Sequence, residues 1–196
     1  MVKFDLIILL NNKININENS LEITTVLTKY DLKNVVTVDN LIIFDNNEIN
    51  VTINPNICSL NIKNETDWKH FFEYSSLFSE IIKCLSSTKF NPMINLRLIK
   101  ISETSNNIFE LSKTKLNFNH EDESPIKNIL GVGFRFFEKS KSDDDILNEY
   151  KIEPFLNNPK FLYIEANYFF KELAKMNEDN YIDFERKIKY FIDQYK

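Results

Sequence analysis

The chain contains two glycines in 196 residues, and they stand one residue apart, at Gly131 and Gly133, in the run Ile129-Leu130-Gly131-Val132-Gly133-Phe134-Arg135-Phe136-Phe137-Glu138. Glycine is the default residue where a backbone needs positive φ or approaches another segment too closely for a β-carbon. A chain this poor in glycine must build its other tight turns from residues that tolerate the left-handed conformation, asparagine above all. Asn11-Asn12, Asp45-Asn46-Asn47 and Asn157-Asn158 stand where such turns are needed. The glycine pair therefore marks a place where even asparagine does not fit, and it is the first candidate for a special site.

Paired glycines also occur in loops that cradle phosphate. Here the third glycine of that motif is missing, and Phe134-Arg135-Phe136-Phe137 continues as a strand rather than opening a helix whose N-terminus could receive an anion. The structural reading is a bulge or a close approach by a neighbouring strand or helix. Arg135 would then project from the same face as Gly133, over an open patch of sheet, to hold a partner's carboxylate or to pair with a neighbour. Gly131, Gly133, Arg135 and Phe137 are the candidate binding residues.

The pattern elsewhere alternates between period two and period 3.6. Leu6–Leu10, Lys13–Asn17, Leu21–Thr28, Val35–Val38, Leu41–Phe44, Glu48–Ile53 and Ile57–Ile62 read as strands of an antiparallel meander. Trp68, Phe71, Phe72, Ser75, Phe78, Ile82 and Leu85 share one face of a helix from about Asp67 to Ser87, capped by Thr66 or Asn64. Strand signals return at Ile94–Ile101, Ile108–Phe118, Leu130–Glu138 and Lys160–Asn167. Ser142 with Asp145 predicts a short capped helix toward Tyr150, and Asn180 predicts the start of a last helix carrying Phe184, Ile188, Phe191, Ile192 and Tyr195. The expected fold is a single α+β domain over residues 1–196: a mostly antiparallel sheet with two amphipathic helices packed on one face. Its two halves, divided near residue 98, each run several strands and then a helix, which suggests a duplication.

Composition closes several functional classes. The net charge of -5 favours neither a phosphate backbone nor an anionic lipid surface, so no nucleic acid is expected. No apolar run approaches a membrane span, Asp5 interrupts the apolar opening, and Cys58 and Cys84 lie in unlike contexts; the expectation is a cytoplasmic protein with reduced thiols and no membrane partner. His120 with Glu121, Asp122 and Glu123 offers oxygen and imidazole donors, but consecutive loop residues diverge, and no metal or other cofactor is expected. Neither cysteine has a nearby histidine, and no Gly-x-Ser-x-Gly elbow exists. Of 17 phenylalanines and eight tyrosines, any not needed for the core would face protein.

The strand Gly133-Phe134-Arg135-Phe136-Phe137 resembles the Gly-Leu-Arg-Tyr-Ile-Asn signature of a sporadically distributed, uncharacterised prokaryotic family, with Glu138 where that family has its asparagine. Trp68 at the start of an amphipathic helix and the stretch from Glu149-Tyr150 to Pro154 are placed similarly to that family's features. The resemblance implies no activity. The expectation is a non-enzymatic protein-interaction module, a homo-oligomer or a subunit of a larger assembly. The alternative is a small-molecule-binding domain or enzyme with a pocket between helix and sheet near Arg135.

Overall fold

The computed structural model describes residues 2–10, 16–38, 40–85, 93–104, 106–115, 131–140, 143 and 145–194. The first half runs β1 (Lys3–Leu9), α1 (Ile16–Thr28), β2 (Lys33–Val38), β3 (Leu41–Asp45), β4 (Ile49–Ile53), β5 (Ile57–Ile62) and α2 (Trp68–Leu85). The second runs β6 (Met93–Glu103), α3 (Ile108–Lys115), β7 (Phe134–Lys139), β8 (Leu147–Pro154), β9 (Phe161–Phe170) and α4 (Glu178–Gln194). The nine strands form one sheet in the order β2-β3-β4-β5-β1-β6-β9-β8-β7, and their pairings are antiparallel. The α+β class follows. In each half a first strand is followed by a helix, a meander whose last strand returns beside the first, and a closing helix. The sequence of elements recurs at Met93, a few residues before the expected division.

Register divides the side chains of the sheet into two sets. Phe4, Leu6 and Ile8 of β1 are fully buried and stand beside Leu98, Leu96 and Ile94 of β6. The same set continues through Ala166 of β9 and Tyr150 of β8 to Phe136 of β7. The ring contacts of α2 and α4 fall on it: Phe4 lies 4.6 Å from Phe71 and 5.7 Å from Tyr181, and Phe136 lies 5.5 Å from Phe191. This is the core face, where each large apolar side chain removed from water contributes about 1.5–3 kcal/mol. The second face carries the alternate residues. At its centre Asp5, 1% exposed, accepts the Arg97 guanidinium across the β1/β6 seam.

Four expected elements are different in the structure. The stretch read as strands at Lys13–Asn17 and Leu21–Thr28 is, from Ile16, helix α1, and residues 11–15 lie outside the described residues. Ile23, Thr24, Thr25 and Val26 give it a β-branched look, but Ile16, Ile23 and Leu27 bury one helical face, and packing overrides a weak propensity. The hydroxyls of Thr25 and Thr28 donate to the carbonyls of Leu21 and Thr24 at 2.8 and 2.7 Å. Ile108–Lys115 is helix α3 rather than strand, begun by Asn107, whose side-chain oxygen accepts the Phe109 N–H at 3.0 Å, and residues 116–118 lie outside the described residues. The expected helix toward Tyr150 is strand β8, in which Asn148, Tyr150, Ile152 and Pro154 alternate into the core. Asp143 instead makes a local turn, accepting the Asp145 N–H at 3.1 Å; Ser142 and Asp144 lie outside the described residues.

The helix caps also moved. Asp67, not Thr66 or Asn64, caps α2 by accepting the His70 N–H at 2.9 Å. Asn177 caps α4, its side chain accepting from Asp179 while Asn180 accepts from Asn177, both at 3.1 Å, a reciprocal capping pair. Turns use asparagine otherwise than expected. Among the described non-glycine residues only Asp31, at φ 56°, is left-handed. Asn46, Asn54 and Asn158 make their turns with the side chain, whose oxygen accepts backbone N–H groups two or three residues on.

Candidate interaction surface

Strand β7 closes one end of the sheet. Its inner side pairs with β8, Arg135 opposite Lys151 and Phe137 opposite Glu149, and its outer side has no strand beside it among the described residues. The glycines that lead into it are placed by contact, since neither has positive φ. A β-carbon on Gly133 would lie 2.7 Å from Glu153 Cβ and 3.1 Å from the Ile152 carbonyl oxygen; one on Gly131 would lie 2.8 Å from the Phe109 ring and 3.0 Å from Pro154. The close-approach reading of the pair therefore describes the structure. Helix α3 holds the same segment from behind, because the buried Ser112 hydroxyl accepts the Val132 N–H at 3.0 Å and itself donates to the Phe109 carbonyl.

Gly133→Ala is expected to cost about 1–3 kcal/mol, because its new methyl meets backbone of β8 that cannot turn aside. Gly131→Ala should cost less, since the atom it meets first belongs to the Phe109 ring and a stiffer unfolded chain offsets part of the strain. Thermal unfolding of the two variants side by side checks the order.

Of the four candidate residues, Gly133, Arg135 and Phe137 belong to the second-face set of β7, and Gly131 sits at its approach. Arg135 takes the neighbour-pairing option: it donates to Glu149 and lies 5.8 Å from the Phe137 ring. The hydrogen bond to Glu149 holds the Arg135 guanidinium further into its charged form. Phe137 is 59% exposed, the most open aromatic ring on this strand. His70 lies elsewhere, against Tyr74 and within 4 Å of Glu48 and Glu73. His120, Glu121, Asp122 and Glu123 lie outside the described residues.

The core-face side of β7 carries a polar cluster that the sequence pattern did not reveal. Lys187 of α4 donates to Glu138 at 2.7 Å, to Tyr150 at 2.8 Å and to Asp183, and lies 4.3 Å from the Tyr150 ring. Tyr150 donates to Glu138 at 2.9 Å, and Tyr168 donates to Asp183 at 3.0 Å. Every shift in this cluster leads away from neutrality. The Lys187 hydrogen bond holds Glu138 below its ordinary value; burial would lift Asp183, but Lys187 outweighs it and holds Asp183 down. Burial opposes the Lys187 charge, yet its bonds to Asp183 and Glu138 raise its pKa; burial pushes Tyr150 up to about 12 and Tyr168 further. Asp183 and Lys187 stand four apart on α4, the one signal that could have linked them; Glu138, Tyr150 and Tyr168 meet them only through strand register.

A cavity of about 250 Å³ opens beside this cluster, lined by Glu138, Asn148, Tyr168, Lys175 and Asp183 among others. Arg135 is not among its walls. Among the described residues no group of His, Cys, Asp and Glu could hold a metal ion, and no helix is long and apolar enough to cross a membrane. No family model matches the chain, and no curated protein matches it.

Proposed function

We propose that this chain is a non-enzymatic protein-interaction module that engages its partner through strand β7 and the second-face residues Arg135 and Phe137. The supporting observation is the edge itself: six residues without a bulge, last in the sheet among the described residues and presenting Phe134 and Phe137 to solvent. Natural edge strands are commonly blunted, because unpaired N–H and C=O groups template another strand. The opposite edge, β2, is blunted in that way by a register shift between Asn34 and Val36. The polar cluster beneath β7 supports the same reading, since acid–base work at neutral pH wants groups poised near it and these five are driven away from it.

The test is purification of the tagged full chain from its native cells, with Phe137→Lys alongside. The expected result is a stoichiometric companion, foreign or a second copy, whose retention falls at least about tenfold in the variant. A lone monomer, or a companion indifferent to position 137, would overturn the reading.

A further inference from the structure

We infer that the occupant of the β7 edge is β7 of a second copy, paired antiparallel about a two-fold axis normal to the sheet. The inference rests on the interaction-module reading and names its partner. Opposed residues of an antiparallel pair project on the same face, so the residue numbers facing one another across such an axis must add to an even sum. That leaves few registers with substantial overlap, and charge chooses among them. A sum of 270 sets Arg135 against Arg135 of the second copy, and a sum of 274 sets it against Lys139. A sum of 276 opposes two copies of Glu138. Like charges directly opposite are destabilising.

At a sum of 272 these conflicts vanish. Phe136 faces Phe136 of the second copy on the axis, and each Arg135 faces a Phe137, extending across the joint the cation–π contact that the two make within one chain at 5.8 Å. Gly133 faces Lys139, a pair that sets no like charges against each other because the glycine has no side chain. Phe134 faces Glu138, whose charge is already met by Lys187. The joint would also repeat one the fold already contains, since β1 and β6 meet at the centre of the sheet as antiparallel neighbours that each begin one run of the recurring topology. β2 offers no comparable edge, because its ladder is broken by the register shift between Asn34 and Val36.

Sedimentation equilibrium of the purified full chain tests this, with circular dichroism to confirm that each variant is folded. The expected mass at high concentration is twice 23.3 kDa. Phe137→Lys, which puts a lysine opposite Arg135 of the second copy, should weaken the dimer by about tenfold or more, whereas Phe137→Glu, which puts a carboxylate there, should stay within about threefold of the parent. Equal weakening by both substitutions overturns the register. A dimer indifferent to position 137 but dissolved by Val38→Lys overturns the choice of edge. A monomeric parent overturns the second copy as occupant. If that monomer still retains a stoichiometric foreign protein through Phe137 the module reading stands, and if it retains none both fall.

Discussion

Replacing Phe4 by alanine is expected to lower the unfolding free energy by about 3–5 kcal/mol, the largest effect of any single truncation in the first strand. Phe4 is fully buried, and its ring meets Phe71 at 4.6 Å, Tyr181 at 5.7 Å and Trp68 at 6.3 Å. Those rings come from α2 and α4, elements that follow different parts of the sheet. The cost of a cavity depends on how far its walls can close, and walls held by separate helices close poorly. Because a domain of this kind has only about 5–15 kcal/mol in reserve, the loss should be visible as a large fall in the urea midpoint with little change in slope. Ile7→Ala, three residues on and on the second face, serves as the contrast: Ile7 is only half-buried, so its removal should cost clearly less.

Lys187→Met is expected to cost about 2–4 kcal/mol at pH 7, because the methionine keeps the stem and leaves Asp183 and Glu138 without their cation. The effect has a pH signature. Asp183 and Glu138 have folded-state values below their ordinary 3.8 and 4.5, so their contribution is complete above those values and is lost as pH falls through the lowered ones. Lys187 has a folded-state value above its ordinary 10.5, so its contribution is complete below that value and is lost as pH rises through the raised one. The parent should therefore be most stable on the plateau between these limits. The variant should lose most on that plateau and approach the parent in acid, where the carboxylates are protonated in both. Denaturant titrations from acid to neutral pH check this, and a difference constant across that range would show that Lys187 acts through packing alone.

How far the fold could be read from residues depended on whether local pattern and tertiary burial agreed. Helix α2 was legible because Trp68, Phe71, Phe78 and Leu85 recur at helical spacing and are all buried. The β3/β4 hairpin was legible because Asn46 closes it with its own side chain. α1 and α3 were misread as strands, since β-branched residues fill the first and the second buries little more than Ile108 and Ser112 along eight residues. β8 was missed because Ser142 with Asp145 three positions on looks like a helix start, whereas Asn148 and Tyr150 are polar residues used as core. The glycine pair was read correctly as a place of close approach because its chemistry is local in effect. The Glu138–Tyr150–Asp183–Lys187 cluster was not legible, because strand pairing and helix docking bring together residues up to 49 positions apart.

The ion pair at the centre of the sheet has a consequence for how the two meanders find each other. Hairpins take their alignment from the turns between them, but Leu6 and Leu96 are matched with no turn to set the match. Slipping β6 by one position would carry Arg97 to the opposite side of the sheet, and slipping it by two would set Asp5 against Asn95 or Ile99. Either error strands a carboxylate that is 1% exposed, a penalty of several kcal/mol that apolar neighbours tolerant of sliding could not impose. Asp5 and Arg97 thus act as the key and keyway of the central joint, sacrificing some cohesion to make one alignment the sole inexpensive one.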